Sequence, residues 1–333
     1  VFNYVVSIMS TQDLLDPRTS MGRVTLLVED LDRMTAYYEL GVGLEVLEQG
    51  VAHTVLGRGG VASLRLEHAP HLKHAPRSSA GLFHTAVLFA TRAELAAAVY
   101  SVATRFPQSF TGSSDHLVSN AFYFDDPEGN GVELYWDLPR DEWRWNGSQV
   151  EMGTLALDPN AFLRSHLSAD GADAASGDDR ALRAIRGGQA QVGHVHLKVG
   201  DITTAEAFYV DALGFERMTR FGDQASFIAA GGYHHHIGMN TWQSRGAGDR
   251  TPALGLGQVS ILVPTTEDVL AVDERMRAHG VQTRHDGETL RFDDPWRNLV
   301  TVAVQGADPA DSPKPQPIPV GSAHDEGPGT ARA

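Results

Sequence analysis

The stretch VTLLVEDLDRMTAYYELGVGLEV, beginning at Val24, recurs as VHLKVGDITTAEAFYVDALGFER beginning at Val195, at a constant offset of 171 residues. Val24/Val195, Leu26/Leu197, Val28/Val199, Asp30/Asp201, Tyr38/Tyr209, Gly43/Gly214 and Glu45/Glu216 all stay in register. A second pair aligns HTAVLFATRAEL from His84 with QVSILVPTTEDV from Gln258. Each member leads to a shared tail, FYFDDPEGNGVELYW at residues 122–136 and LRFDDPWRNLVTVAV at residues 290–304. Internal repetition limits the fold more strongly than any local signal. The chain holds four related units, near residues 22–75, 80–138, 192–245 and 255–305.

Each unit opens with apolar residues at strand length, passes through a helical stretch and returns to short strand-like runs. In the third unit the opening strand is HVHLKV, a helix is expected over Thr204–Ala212, and Gly214 stands where a helix stop belongs. The expected unit is βαβββ. One such unit is too small to enclose a good core, whereas two side by side can curl their sheets around a cavity. The fold expected is therefore α+β, with four βαβββ modules paired into two open barrel-like domains. The domain map has an N-terminal extension (1–21), modules 1 and 2 (22–138), a linker (139–191), modules 3 and 4 (192–305) and a disordered tail (306–333).

The 333 residues suffice for two domains of ordinary size. A net charge of −15 argues against nucleic acid and anionic membrane as partners, because phosphate binding needs a basic surface. With no cysteine, disulfides, iron–sulfur clusters and thiolate metal sites are excluded. No apolar run approaches the roughly 20 residues needed to span a bilayer. The opening residues VFNYVVSI lack a basic leader and a small-residue cleavage site, so a cytoplasmic protein is expected. The stretch Ala169–Gly188 reads as an acidic surface linker, and the tail with PKPQPIP as disordered.

The chemistry begins with histidines in the opening strands. His84 and His194 stand there in units 2 and 3, where units 1 and 4 carry Arg23 and Gln258. Unit 2 adds Glu133 in its last strand, at the position of Thr301 in unit 4. Two imidazoles and one carboxylate with open positions left over form the donor set of non-haem Fe(II) oxygenases. Manganese accepts the same donors. These three residue types occupy corresponding repeat positions in one pair of units and are absent together from the other.

The strings GHVHLKVGD…AFYVDALGF, DDPEGNGVELY and AGGYHHHIGMNTW resemble the vicinal oxygen chelate superfamily, and within it the type I extradiol (catechol 2,3-) dioxygenases of the CatE-like ring-cleaving group. The likeness covers residues 22–305. It implies an Fe(II)-dependent enzyme that opens the ring of a catechol-type or hydroquinone-type diol with O2. Carried over by position, it implies metal ligands at His84, His194 and Glu133 and an active-site tyrosine at Tyr123, ten residues before Glu133. It also implies an acid/base histidine in YHHHIGM, best placed at His235, with His234 or His236 if the strand register slips by one. His116 stands where many relatives carry a polar residue near the substrate, and His196, on the strand face of His194, is a further pocket candidate.

In most two-domain relatives the three ligands lie in the C-terminal half. Here the order His84, Glu133, His194 divides them between halves. Metal bonds of about 2.0–2.2 Å tolerate no such division, so unit 2 must pair with unit 3, and unit 1 with unit 4, within one chain or by exchange between two. Whether the protein is a homo-oligomer stays open at this level. Two alternatives are weighed: a glyoxalase-like lyase or isomerase, disfavoured because HHHIGMN offers no acidic fourth ligand, and a non-catalytic ligand-binding protein, which would need none of the three donors.

Overall fold

The structure, a computed structural model, describes residues 14–147, 149–167 and 188–306. Unit 1 comprises β1 (Ser20–Val28), α1 (Leu31–Ala36), β2 (Glu45–Gln49), β3 (His53–Arg58) and β4 (Val61–His68). Unit 2 comprises β5 (Gly81–Phe89), α2 (Arg92–Arg105), β6 (Phe110–Asp115), β7 (Ser119–Asp125) and β8 (Gly131–Asp137). After the short strands β9 (Trp145–Asn146), β10 (Gln149–Val150) and β11 (Leu155–Ala156) and helix α3 (Pro159–His166), unit 3 begins. It holds β12 (Ala190–Lys198), α4 (Ile202–Glu206), β13 (Glu216–Phe221), β14 (Ala225–Ala229) and β15 (Ile237–Asn240). Unit 4 closes the series with β16 (Gly255–Val263), α5 (Thr266–Ala278), β17 (Arg284–His285), β18 (Thr289–Asp293) and β19 (Leu299–Val304). All four are βαβββ.

The four helices start alike because a short oxygen-bearing side chain precedes each. Asp30, Thr91, Asp201 and Thr265 each accept a hydrogen bond from a backbone N–H of the first turn, satisfying a donor that the helix itself leaves free. Helices α1 and α4 both widen into π turns, Tyr37–Val42 and Ala207–Ala212. The helix expected over Thr204–Ala212 is thus an α-helical turn followed by a π turn. Gly43 and Gly214 then leave the helices at φ 84° and 98°, a conformation that disfavours a side chain.

Within each unit the first strand lies parallel to the fourth: β1 on β4, β5 on β8, β12 on β15 and β16 on β19. The units then join through their first strands. β5 runs antiparallel to β12, and β1 antiparallel to β16. Unit 2 therefore pairs with unit 3 and unit 1 with unit 4, all within one chain. A continuous apolar core lies under both pairs, including Val24, Leu26, Val195, Leu197, Val259 and Ile261 on the paired first strands.

Sequence-adjacent units are tied differently. Tyr38 of unit 1 donates its hydroxyl to Asp126 of unit 2 at 2.9 Å, and Tyr209 of unit 3 donates to Asp294 of unit 4 at 2.9 Å. Each aspartate also accepts two backbone N–H groups of its own turn, from Glu128 and Asn130 or from Trp296 and Asn298. The shared FDDP tail is thus a folded turn that latches one module to the one before it.

Two stretches outside the repeats carry more structure than their composition suggested. In the segment expected to be linker, residues 139–167 hold a turn of 3-10 helix, a small hairpin, β11 paired with β6, and α3, whose Phe162 is buried against Phe122. The expected N-terminal extension reaches the fold before Ser20: Leu15 is buried and its N–H donates to Gly214 O at 2.8 Å. The acidic stretch 168–187, the first 13 residues and the tail from 307 lie outside the described residues. No helix among the described residues is long and apolar enough to cross a membrane.

Candidate metal centre and its surroundings

Strand β5 is hydrogen-bonded on one side to β8 and on the other to β12, and Ala86 is in register with both Glu133 and His194. Those two side chains therefore flank Ala86 in one row across three strands. His84, two residues along β5, shares the face of Ala86 because side chains alternate along a strand. The methyl group of Ala86 leaves the space above it to the three larger side chains. His84, Glu133 and His194 are all buried, and one donor atom of each lies within 4.8 Å of the others.

Both Nε2 atoms converge on the same carboxylate oxygen, Glu133 Oε2, His84 at 2.9 Å and His194 at 3.2 Å. The His84 contact lacks hydrogen-bond geometry, so that nitrogen is buried without a hydrogen-bond partner. Donors bound at about 2.0–2.2 Å to one ion stand about 3–3.5 Å apart, which these separations match. An orphaned imidazole nitrogen aimed at a carboxylate is what a divalent cation would satisfy. The donor set fits such an ion.

Electrostatics keep Glu133 and His194 in metal-binding form. Burial would raise the Glu133 carboxyl, but the adjacent His194 and His84 outweigh it and hold it well below the usual carboxylate range. His194 is lowered to about 4 by burial, against the opposing pull of Glu133. The imidazole therefore offers a lone pair and the carboxylate a charge at neutral pH.

At the equivalent place between units 1 and 4, buried Arg23 stands at the position of His194, and the unit 4 side chains are joined by hydrogen bonds between uncharged groups. Gln258 Nε2 donates to Thr301 Oγ1 at 3.2 Å and to Ser260 Oγ at 3.0 Å, and Thr301 Oγ1 donates to Ser260 Oγ at 3.1 Å. Ser260 stands where Ala86 stands in unit 2, opposite Thr301 as Ala86 is opposite Glu133.

The remaining sequence candidates lie around the triad. Tyr123 is opposite Glu133 on β7, and its ring lies 5.6 Å from that of His84. Burial and the nearby Glu133 push its phenol well above its ordinary value, so it stays protonated. His116 Nε2 is 2.6 Å from Tyr123 Oη, and its Nδ1 is 2.6 Å from the carbonyl of Gly153. A carbonyl only accepts, so Nδ1 of a neutral His116 carries the proton and Nε2 accepts the tyrosine hydroxyl. His196 faces His84 at 4.9 Å between rings, and its Nε2 is held 3.0 Å from Asn240 Nδ2.

The run His234–His236 is not in a strand. Gly231 and Gly232, at φ 63° and 66°, turn the chain before β15, so the strict alternation assumed for a register slip does not apply. All three histidines are buried, each with a distinct neighbour. The His235 ring lies 4.0 Å from that of His194, tilted by 47°. His234 turns away to Asp137, and His236 Nδ1 accepts the Ala230 N–H at 3.2 Å. Burial first, then neighbouring imidazoles led by His194, keep His235 well below its ordinary value and so neutral.

Aromatic rings that the sequence reading did not single out lie against two of these histidines. Phe83 and Trp242 lie 5.1 and 5.6 Å from the His196 ring, and Phe227 lies 5.0 Å from His235. Asp137 was also missed. Its signal was available, since Glu133, Tyr135 and Asp137 alternate along β8 onto one face.

Residues 20–134 and 191–302 match the profile of the Glyoxalase/Bleomycin resistance protein/Dioxygenase superfamily, in two blocks that correspond to the two halves of the repeat. The chain belongs to this superfamily. It is 34% identical over 283 residues to a catechol-2,3-dioxygenase of Bacillus subtilis (strain 168), covering 83% of this chain and 94% of that protein, and is a homologue of that extradiol enzyme. Solved structures share the fold at low identity. One is a protein of Bacillus subtilis subsp. subtilis str. 168 provisionally called a dioxygenase (15% identity, TM-score 0.57, 86% of each chain). Another is glyoxalase I of Zea mays (16% identity, TM-score 0.52, 86% of this chain and 92% of that one).

Proposed function

We propose that this superfamily member opens an aromatic diol with O2, using Fe(II) held by His84, His194 and Glu133, with His235 as acid/base and Tyr123, backed by His116, as a hydrogen-bonding partner of the substrate. One observation carries the reading: a buried set of two imidazoles and one carboxylate, with donors within 4.8 Å, in a chain 34% identical to a catechol-2,3-dioxygenase. Three protein donors would leave open positions on the ion for substrate and O2. Fe(II) in that place would supply the one-electron chemistry that couples O2 to the diol.

The protein groups supply the rest. His235, neutral and beside His194, can take the proton that a diol loses on binding as its monoanion and can return it when the ring opens. Tyr123 keeps its proton, which leaves its oxygen lone pairs free to accept from a substrate hydroxyl while His116 holds its orientation. Phe83, Trp242 and Phe227 give a flat ring an apolar surround beside His196. Both atoms of O2 end in the product, as a ring carbon–carbon bond is replaced by two carbonyl functions.

The test is anaerobic loading with Fe(II), then O2 uptake with catechols and hydroquinones, with Mn(II) loading in parallel. Uptake of one O2 per ring opened, dependent on the metal, is expected. Metal-loaded protein that binds no diol and consumes no O2 across the panel would overturn the proposal.

A further inference from the structure

Behind His235 runs a hydrogen-bonded line of side chains that metal binding does not require. His235 Nδ1 is 2.8 Å from His234 Nδ1, and His234 Nε2 is 2.8 Å from Asp137 Oδ1. Asp137 Oδ2 accepts the Tyr233 hydroxyl at 2.7 Å, and Tyr233 Oη is 2.8 Å from Tyr135 Oη. His234 is fully buried, and the Asp137 side chain is 19% exposed, so the line leads from His235 toward the surface.

The proton positions follow from its carboxylate end. A carboxylate accepts only, so His234 Nε2 carries a proton. In a neutral imidazole the other nitrogen is then a lone pair, which leaves His234 Nδ1 as an acceptor. Two facing Nδ1 atoms need one proton between them, and it must sit on His235. His235 Nε2 is therefore the bare nitrogen, and it makes no hydrogen bond among the described residues.

We infer that Asp137 and His234 are positioning residues that lock His235 into the tautomer whose Nε2 is the free base. Their value to turnover rests on the proposed function, whereas the tautomer itself does not. Were His234 instead a cation, its Nδ1–H would donate to His235 and force the proton onto His235 Nε2, leaving no base. Wrong-tautomer histidines lose most of their catalytic worth.

The experiment reads the tautomer directly. Full-length protein labelled with 15N-histidine and loaded with diamagnetic Zn(II) gives long-range 1H–15N correlations, assigned with His235→Phe and His234→Gln. Expected are a protonated Nδ1 and bare Nε2 on His235, the mirror pattern on His234, and loss of the single His235 tautomer in Asp137→Ala. A protonated Nε2 on His235 in the wild type, or an unchanged pattern in Asp137→Ala, overturns the inference. Asp137→Asn serves if the alanine variant does not fold.

With Fe(II) and a diol that is turned over, His234→Phe should keep metal content and anaerobic diol binding yet lose kcat by about 10-fold or more, up to the roughly 10²–10⁴-fold that a positioned acid–base group contributes. His234→Gln, whose Oε1 can accept from His235 Nδ1–H, should recover part of it, and neither change should matter further in a His235→Phe background. A full additional loss in that background would show a merely structural role. The expected tautomers without O2 uptake by the wild type would sink the proposed reaction and leave the positioning pair standing.

Discussion

At Glu133 and Thr301, two copies of one ancestral strand position have diverged into a charged and an uncharged oxygen. Both are buried and both face the small residue on the neighbouring first strand, Ala86 or Ser260. Only the carboxylate is anionic, and two imidazole nitrogens point at it. Glu133→Ala should therefore abolish stoichiometric iron binding while Thr301→Ala leaves it unchanged, as metal analysis after dialysis would reveal. Equal iron in wild type and Glu133→Ala would show the site to lie elsewhere. His235 touches the same centre through its ring and offers no nitrogen to the three-donor set. His235→Phe should keep near-normal iron and anaerobic diol binding while turnover falls by about 10²–10⁴-fold. Loss of iron in that variant would make His235 a ligand.

At the scale of elements, the DDP turn resembles a functional motif in sequence yet acts as a latch. Asp126 and Asp294 each gather a tyrosine hydroxyl from the preceding unit and two backbone N–H groups of their own turn. A hydrogen bond to a charged group is worth about 1.5–3 kcal/mol. Tyr38→Phe and Tyr209→Phe should each lower unfolding free energy in urea by about that amount, with iron content unaltered because neither latch touches the triad. A loss below about 0.3 kcal/mol in both would refute the latch. The repeat made part of these elements legible: the βαβββ order and the stop at Gly214 follow from local chemistry that each unit carries for itself. The histidine run was not legible in the same way, because two glycines at positive φ turn the chain before β15, and strand alternation is lost. Residues 139–167 escaped for a related reason, since β11 and α3 are held by pairing with β6 and by packing on Phe122.

Across the whole molecule, burying so many imidazoles has a price in acid. His194 and His236 are lowered by burial to about 4 and about 3, and His196 and His235 are also well below 6.5, again with burial as the leading cause. In the unfolded chain each takes up its proton near 6.5. Between that value and the folded one the unfolded state binds more protons, so stability is present above 6.5 and is lost as pH falls toward 4. Each such histidine contributes a slope of about 1.4 kcal/mol per pH unit. Metal-free protein should thus show urea midpoints that are level between pH 8 and 7 and drop steeply from 6.5 to 5. A midpoint unchanged down to pH 5 would mean the cluster is already charged in the folded state.

The sequence alone determined the four units, their βαβββ order and the family, and singled out the three residues proposed as donors, because a repeat exposes its own exceptions: a histidine or glutamate in one copy is read against arginine, glutamine or threonine in another. It also required units 2 and 3 to pair, since bonds to one ion cannot bridge separate cavities. What tertiary structure decided was everything that depends on side chains meeting from distant elements. The row Glu133–Ala86–His194 exists because β5 is hydrogen-bonded to β8 and β12 at once, and the line from His235 through His234 to Asp137 joins residues 97 positions apart at its second step. Such contacts are set by how the strands stack and the chain turns, and no local pattern encodes them.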